Sequence, residues 1–545
     1  MFFVDKGSHV LGKVDIPTAI VTERALQRRA TVLPADQLLD VSDLPLEERY
    51  IRDVEETGAR VRHRSRWFNA VSVEATPAQI ERLRALPSVR EIELVARFTR
   101  HPDGEDHRPV ERSDGRPSLQ KNGSTVSLNY GPAFNQVAAI NVPLVHETGN
   151  TGQGIIVGVF DNGFRQPDHE AFSSTTILAT YDFVEHKVSV VPNDPRSSFG
   201  SHGVATLATL GGYAPGQVIG PAFGAHFLLA RTENDSSETV VEEDNWVAAI
   251  EWAESLGVQV TSTSLGYIDY WSWEDMDGRT TIVSRAATMA SRRGIVVVCS
   301  AGNEGLNSEH NTLTAPADAD SILAVGAVHP DGSRASFSSI GPTTSIPPRI
   351  KPDVMAPGTS IYTASGFSRT SYAITQGTSF SCPLAAGVAA MMLRANPQAT
   401  PMQIITALKK TASRASSPDN LYGWGIIDAK RAVDAILGAD TGGTPPLPQG
   451  FAVDQNFPNP FNPSTTIRFQ LGEQATVTLR VYDALGREVR TLAEGPMPPG
   501  VYFRDWDGTD GRGKRVGSGM YVARFDAIGA SGSASTVLRK MMLIK

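Results

Sequence analysis

The stretch GTSFSCPLAAGVAA at residues 377–390 joins a glycine turn to a helix that has no polar face. A helix that is apolar on all sides is a buried helix. Ser379 is expected in its first turn, where the helix dipole is positive and backbone N–H groups lack partners. A serine in this position is suited to act as a nucleophile or to bind an anion, and equally to serve as an ordinary N-cap.

Apolar strand-like runs alternate with helical runs between residues 128 and 437. The strand-like runs include GIIVGVFD, VQVTSTSLG and GIVVVCSAGN, and the helical runs include DNWVAAIEWAESLG and TTIVSRAATMASRRG. Continuous apolar strands that alternate with helices predict an α/β domain, in which a mostly parallel sheet carries helices on both faces. Reactive groups in such a domain gather at the carboxyl ends of the strands.

Polar side chains stand at the tips of these apolar elements. Asp161 ends the run IIVGVF, His202 opens the buried helix SHGVATLATLGG, and Asn303 follows the run VVVCS. Each of these residues alone is more often structural than catalytic. Together with Ser379 they form the set that acyl transfer requires: a hydroxyl, an imidazole base, a carboxylate that orients the base, and a carboxamide that donates to the oxyanion.

The segments GVFDNG, SHGVAT, SAGNEG and GTSFSCPLAAG resemble, in this order, the Asp, His, Asn and Ser boxes of the subtilisin-like serine proteases, the subtilases. The segment KPDVMAPG (351–358) extends the resemblance to essentially the whole α/β domain. It implies that Asp161, His202 and Ser379 form the catalytic triad. It also implies that Asn303 and the backbone N–H of Ser379 form the oxyanion hole.

The boxes depart from the subtilase pattern at a few positions. Asn162 replaces the usual Ser or Thr after the aspartate, and Val204 replaces Thr in the His box. Phe380 and Leu384 replace the common Met and His beyond the nucleophile. None of these changes removes a proton-transfer group, so we expect them to alter the shape of the cleft.

The segment STSLGY (262–267) resembles the subtilase strand that pairs with an extended peptide substrate. The resemblance implies that Ser264, Leu265 and Gly266 bind the main chain of a protein or peptide substrate as an added antiparallel strand. The alternative is a strand that simply ends in a turn. Side-chain specificity depends on pockets that the sequence does not reveal.

No cofactor is needed for this chemistry, and no residue is assigned to a metal. The acidic insert DYWSWEDMDGRTT (269–281) contains Glu274, Asp275 and Asp277, but their spacing does not match an EF-hand loop. We expect this insert to be a solvated loop and HPDGEDH (101–107) to be linker. The subtilase resemblance allows a structural calcium ion without indicating its ligands.

Residues 1–99 mix short strands with the helix-like run TPAQIERLRAL and predict a small α+β domain. Its sequence resembles the inhibitor-like propeptide that precedes subtilase domains, which would block the cleft as an intramolecular inhibitor. Residues 100–127 are highly charged and rich in Gly and Pro, so they predict a solvated linker in which maturation occurs. The alternative is a regulatory domain that stays attached.

Residues 438–449 form a Gly/Pro-rich linker, and residues 450–545 show short alternating runs that predict an antiparallel β-sandwich. This region resembles the sorting domain of type IX secretion cargo and the immunoglobulin-like domain of flagellar hook capping proteins. The first resemblance implies secretion machinery as a partner and a secreted or cell-surface location. The start MFFVDKG lacks a secretory signal, and we expect either that the signal was trimmed or that the translation start was placed too late. A β-domain without sorting function is the alternative.

The composition is that of folded protein, with 41% hydrophobic and 20% charged residues and a net charge of -8. No basic cluster is present, which argues against nucleic acid as a partner. The two cysteines, Cys299 and Cys382, are expected to be small buried residues, and a single local disulfide is the alternative.

The sequence therefore predicts a secreted serine endopeptidase with a propeptide and a C-terminal sorting domain. A catalytically inactive, surface-displayed binding protein on a subtilase scaffold is the rival from another class, and retention of all four catalytic positions argues against it. An esterase or a peptide ligase with the same nucleophile is a rival within the same chemistry.

Overall fold

The fold is known from a computed structural model. It describes residues 1–7, 20–93, 108–110, 127–194, 199–234, 241–268, 271–307, 309–438, 451–453, 456, 459, 461, 465–497 and 500–544. Most of the charged linker and most of the Gly/Pro linker lie outside these residues. The chain divides into two compact units, Met1–Ala439 and Asp440–Lys545.

The N-terminal part of the first unit is a small α+β domain. Its elements are β1 (Phe2–Phe3), α1 (Glu23–Arg29), α2 (Glu48–Glu56), β2 (Arg60–Ser65), β3 (Ala70–Glu74), α3 (Pro77–Arg84) and β4 (Val89–Glu91). The strands form an antiparallel sheet in the order β2-β3-β1-β4. The predicted helix TPAQIERLRAL is α3, which begins at a capping box between Thr76 and Gln79.

The α/β domain follows in the same unit. Its elements are β5 (Arg108–Val110), α4 (Phe134–Ala138), α5 (Val142–His146), β6 (Ile156–Asp161), β7 (Thr176–Asp182), α6 (Ser201–Gly211), β8 (Tyr213–Ala214), β9 (Val218–Ile219), β10 (His226–Arg231), α7 (Val241–Ser255), β11 (Val260–Thr263), α8 (Ile282–Arg292), β12 (Val296–Ser300), β13 (Leu323–Val328), β14 (Val354–Pro357), β15 (Ile361–Ala364), β16 (Tyr372–Thr375), α9 (Thr378–Ala395), α10 (Pro401–Thr411) and α11 (Ala429–Ile436).

Seven strands of this domain form one parallel sheet in the order β14-β13-β12-β11-β6-β10-β7. Successive side chains of a strand point to opposite faces. In β6, Val157 and Val159 join a core with α6 and α9, whereas Ile156 and Phe160 join a core with α7 and α8. The predicted parallel sheet with helices on both faces is therefore confirmed.

The second unit is an antiparallel β-sandwich. Its strands are β17 (Ala452–Val453), β18 (Thr465–Leu471), β19 (Ala475–Asp483), β20 (Glu488–Met497), β21 (Gly500–Trp506), β22 (Gly519–Gly529) and β23 (Ala534–Leu543). They form two sheets, β17-β18-β21 and β20-β19-β22-β23. Alternating residues of β19, including Val477, Leu479 and Val481, point into the core, as the sequence predicts. Across both units, none of the described helices combines the length and the apolar composition needed to cross a membrane.

Candidate active site

Asp161 is the last residue of β6, and its side chain is completely buried. The backbone N–H of Asn162 donates to Asp161 Oδ1 at 2.9 Å, and the Thr206 hydroxyl donates to Oδ2 at 2.8 Å. Both oxygens therefore have hydrogen-bond donors inside the protein. Such donors replace the hydration that a polar group loses on burial.

His202 lies in the first turn of α6, beside the end of β6. Its Nδ1 atom is 2.6 Å from Oδ1 of Asp161, so the carboxylate fixes the orientation of the ring. The close approach depends on Gly203, where an added Cβ would stand 2.1 Å from the carbonyl oxygen of Gly163. The His202 ring also contacts the ring of Phe380, edge to face, with centroids 5.7 Å apart.

Ser379 is the second residue of α9, and every residue of this helix from Thr378 to Leu393 is buried. Gly377 precedes the helix with φ 144°, a value that favours glycine. The structure therefore places Ser379 at the start of a buried helix, as expected from the sequence. Ser379 is 4% exposed. The next residue, Phe380, is the one whose ring contacts the ring of His202.

Pro383 changes the hydrogen bonding of the first turn of α9. It has no N–H, so it cannot donate to the carbonyl oxygen four residues earlier, which belongs to Ser379. The Ser264 hydroxyl donates to that carbonyl oxygen instead, at 2.7 Å. The Ser379 hydroxyl donates to the Ser264 carbonyl oxygen at 3.2 Å. The nucleophile candidate and the candidate substrate strand are thus directly joined.

Asn303 follows β12 at the same edge of the sheet. Its side-chain oxygen accepts from the backbone N–H of Thr378 at 3.0 Å and from the Thr378 hydroxyl at 2.9 Å. Because the oxygen is held by the first residue of α9, the NH₂ group of the carboxamide is left as the donor for another acceptor.

The candidate substrate strand continues from β11. Ser264 and Leu265 are almost fully buried, and the Leu265 carbonyl oxygen accepts from Ser300 Oγ at 3.3 Å. At Gly266 an added Cβ would stand 2.1 Å from Oγ1 of Thr314. The Thr314 hydroxyl is buried and has no hydrogen-bond partner among the described residues, which is rare for a polar group.

Two residues of the site were not singled out from the sequence. Thr206 lies four residues after His202 in α6, a spacing that puts two side chains on one helix face, so this spacing was an available signal. Thr378 directly precedes the serine, but nothing in its sequence position indicates that it holds Asn303.

Both cysteines are free and buried in the structure, so the alternative of a disulfide is wrong. Cys382 lies in α9, with its Sγ 3.6 Å from the Ser262 hydroxyl, and burial raises the pKa of its thiol to about 12. The cysteines therefore pack near the site as small, un-ionised residues.

The acidic insert has structural partners. Asp275 accepts from the backbone N–H of Ser272 at 2.9 Å, and Asp277 accepts from those of Arg279 and Thr280 at 2.7 and 2.8 Å. In the part of the chain that the structure describes, no group of three or more His, Cys, Asp or Glu side chains is arranged to hold a metal ion.

A serine at the start of a buried helix, whose next residue contacts the ring of a histidine bonded to an aspartate, is the kind of arrangement expected of a serine hydrolase built on a parallel sheet. Residues 152–425 match the Subtilase family, residues 1–109 match the peptidase S8 propeptide domain of Bacteroidota, and residues 459–530 match the FlgD Ig-like domain. The chain belongs to the subtilase family, whose subtilisins are serine endopeptidases. The domain limits expected from the sequence stay predictions.

Similar proteins include subtilisin NAT of Bacillus subtilis subsp. natto, which is 28% identical over 383 residues, covering 70% of this chain and 84% of that protein. Subtilisin DY of Bacillus licheniformis is 30% identical over 296 residues, covering 54% of this chain and 97% of that protein. Among solved structures, a protease from Pseudoalteromonas arctica PAMC 21717 matches with a TM-score of 0.46 and 25% identity, over 57% of this chain and 99% of its own.

Proposed function

We propose that this subtilase cleaves peptide bonds with Ser379 as nucleophile, His202 as general base and acid, and Asp161 as the residue that orients the imidazole. The 2.6 Å contact between His202 Nδ1 and Asp161 Oδ1 is the observation that carries this proposal. It fixes one ring nitrogen on the carboxylate and leaves Nε2 as the atom that exchanges a proton with substrate or serine.

The reaction begins when the Ser379 oxygen attacks the peptide carbonyl carbon while its proton passes to His202. The negative charge then forms on the former carbonyl oxygen, and the Asn303 carboxamide and the Ser379 backbone N–H donate to it. The start of α9 adds the positive end of a buried helix dipole. His202 returns its proton to the leaving amine, and water completes hydrolysis of the acyl enzyme by the reverse proton path.

The substrate main chain pairs with Ser264, Leu265 and Gly266. Support for this comes from the reciprocal bonds between Ser264 and Ser379, because they hold the pairing strand and the attacking oxygen at a fixed separation. Main-chain pairing accepts many sequences. We therefore expect an endopeptidase whose selectivity depends on the side chains around the pairing strand, and Thr314 is the one that lies directly against Gly266.

No cofactor takes part in these steps. A structural calcium ion remains a proposal without assigned ligands. It predicts that the melting temperature falls on addition of EGTA and returns on addition of excess Ca²⁺. An unchanged melting temperature would contradict a structural calcium ion.

The chain also carries a propeptide domain, which acts as an intramolecular inhibitor in this account. We further propose that the C-terminal β-sandwich sorts the protein for secretion to the cell surface or the medium. Deletion of residues 450–545 should then abolish export while leaving peptidase activity in the retained protein. Unchanged export of the deletion variant would contradict the sorting role.

Labelling with a fluorophosphonate tests the nucleophile. We expect one label per molecule on the active chain, located at Ser379, and no label on Ser379→Ala or His202→Ala. Ser381→Ala is the matched control, since Ser381 lies in the same helix and donates to the Ala356 carbonyl oxygen instead. Labelling that persists in Ser379→Ala would overturn the assignment.

The same preparation separates the rival functions. Hydrolysis of an internally quenched peptide marks an endopeptidase, whereas turnover of esters alone or joining of peptides marks an esterase or a ligase. A folded chain that neither reacts with the fluorophosphonate nor cleaves any of these substrates would support the binding protein.

A further inference from the structure

We propose that the propeptide is fastened to the catalytic domain by a buried arginine latch, consisting of Arg28 and Arg29 of α1, Asp43, and Glu254 of α7. The latch lies at the C-terminal ends of α7 and α8. It includes none of the proposed catalytic residues, so it can be tested whether or not Ser379 is the nucleophile.

Helix α1 sits directly on the turns that end α7 and α8. The backbone N–H and the hydroxyl of Thr22 both donate to the Ser255 carbonyl oxygen, each at 2.9 Å. A Cβ added at Gly257 would lie 2.6 Å from Arg24 Cβ. A Cβ added at Gly294 would lie 2.9 Å from the Arg28 carbonyl oxygen. Glycine at both turns therefore allows α1 to touch the backbone of the catalytic domain.

Arg28 caps the ends of both catalytic helices. Its guanidinium donates to the carbonyl oxygens of Arg293 at 2.9 Å, Val258 at 2.6 Å and Glu254 at 3.2 Å, and it also pairs with the Glu254 carboxylate. The last carbonyls of a helix lack intrahelical donors and carry the negative end of its dipole. Burial lowers the pKa of Arg28 to about 10, so the side chain stays charged at neutral pH.

Arg29 bridges two carboxylates, one from each domain. It donates to both oxygens of Asp43 at 2.7 and 2.8 Å, and to both oxygens of Glu254 at 2.8 and 2.9 Å. The Arg29 side chain is 1% exposed, and the two carboxylates are equally buried. Two-pronged pairing of this kind uses the planar fork of arginine, which lysine cannot reproduce.

The side chains of the latch are ionised in the state in which the propeptide is bound. Burial alone would raise the pKa of Glu254, but Arg28 and Arg29 outweigh it and hold the pKa below its ordinary value. Asp43 behaves in the same way, because its hydrogen bonds to Arg29 outweigh its burial. All four groups therefore carry their charges when the propeptide is bound.

Neighbouring groups extend the contact. In Arg66 of the propeptide, Nη2 lies 3.6 Å from Glu254 Oε2, and Nε lies 3.8 Å from Glu251 Oε2. Arg293 of the catalytic domain lies 3.9 Å from Asp43, and its guanidinium covers the ring of the buried Trp67 at 4.7 Å. The surface of the catalytic domain thus fits a partner that presents two adjacent arginines and an aspartate, which this propeptide supplies.

The latch involves no residue of the linker between the domains. Cutting that linker should therefore leave the propeptide bound, with slow release. Removal of one partner of a buried ion pair leaves the other charge buried and unpaired, which is strongly destabilising. We expect release of the cut propeptide to accelerate roughly 100-fold when Glu254 is neutralised.

The test uses the full chain with Ser379→Ala and a recognition sequence for a site-specific protease inserted between residues 110 and 127. After the cut, gel filtration over time measures release of the N-terminal fragment. The parent should release it slowly and Glu254→Gln about 100 times faster. Glu48→Gln is the control, because the pair of Glu48 with Arg64 is half exposed, and its release rate should equal that of the parent.

Arg28→Lys provides a second variant that retains the charge and the apolar stem, in case Glu254→Gln does not fold. Lysine cannot bond to three carbonyl groups and a carboxylate together, so release should accelerate about tenfold. Release rates of folded Glu254→Gln or Arg28→Lys that equal the parent rate would overturn the latch.

Discussion

Ser264 and Ser379 are joined by two hydrogen bonds that run in opposite directions. The Ser264 hydroxyl donates to the Ser379 carbonyl oxygen at 2.7 Å, and the Ser379 hydroxyl donates to the Ser264 carbonyl oxygen at 3.2 Å. Pro383 makes the first bond possible, because it leaves the Ser379 carbonyl oxygen without its usual helical donor. The substrate strand and the nucleophile therefore share one rigid connection.

Substitution Ser264→Ala should weaken both stability and catalysis. It leaves the buried Ser379 carbonyl oxygen without this donor, which costs about 1–3 kcal/mol. We expect a lower melting temperature and a kcat about tenfold lower, the barrier rising by about 1.4 kcal/mol. Ser262→Ala is the control, since Ser262 Oγ makes only a long contact to Cys382. Equal activity of Ser264→Ala and the parent would show that the connection does not position the serine.

Asn303→Ala should lower kcat with little change in KM. The carboxamide donates to the oxyanion, which exists in the transition state and not in the bound substrate. In subtilisin, removal of this kind of donor costs about 10²–10³ in kcat, and we expect a loss of that order here. Steady-state kinetics on a peptide substrate measure it. A rise in KM at unchanged kcat would instead assign Asn303 to substrate binding.

Thr206→Val should reduce activity without unfolding the domain. The variant keeps the shape of the side chain but removes the donor to Asp161 Oδ2, so part of the carboxylate charge is left unpaired. We expect kcat/KM to fall about tenfold. Thr206→Ser, which retains the hydroxyl, should restore it. A kcat/KM that is identical in all three proteins would limit Thr206 to packing.

Release of the cut propeptide should accelerate as the pH rises from about 4.5 to about 7. Burial raises the pKa of Glu251 from 4.5 to about 7 in the bound state, although it accepts from Ser65 and lies near Arg66 and Lys6. A raised pKa means that binding favours the protonated form. This contribution is complete below pH 4.5 and is lost as the pH passes through 7. Glu251→Gln should flatten the profile.

Asp244, His63 and His186 at this interface act in the same pH range. Burial lowers the pKa of His186, so this group opposes the trend. Burial raises the pKa of Asp244 to about 6, which adds to the effect of Glu251. Burial lowers the pKa of His63 to about 4. The Nε2 atom of His63 lies 2.6 Å from Asn245 Oδ1, and its ring lies close to that of His186. Because the bound state disfavours charged His63, this group opposes the trend below pH 6.5. Faster release in acid than at pH 7 would contradict the dominance of the two carboxylates.

The sequence was informative where a pattern repeats or where a residue type has one plausible role. Alternating apolar runs predict the parallel sheet, and Asp161, His202, Asn303 and Ser379 all lie where strands or helices deliver them to one edge. The boundaries of short strands were less predictable. The run at 88–95 has only β4, Val89–Glu91, within the described residues, and residues 94 and 95 lie outside them.

Contacts between distant segments could not be predicted from one sequence. Thr206 follows its histidine by a helical spacing, but its partner comes from a strand 45 residues earlier. Arg28 and Arg29 look like an ordinary basic helix end, and only the fold places them against Glu254, more than two hundred residues away. Their burial depends on two glycine turns whose significance appears only when α1 is in place.

The most direct test of the central claim is the intact mass of the purified chain beside its Ser379→Ala variant. We predict that the parent loses about its first hundred residues through its own activity, whereas the variant keeps its full mass. A parent that is folded and uncut beside an uncut variant would contradict self-maturation by Ser379. Equal cutting of both proteins would contradict it as well, because the cut would then come from another protease.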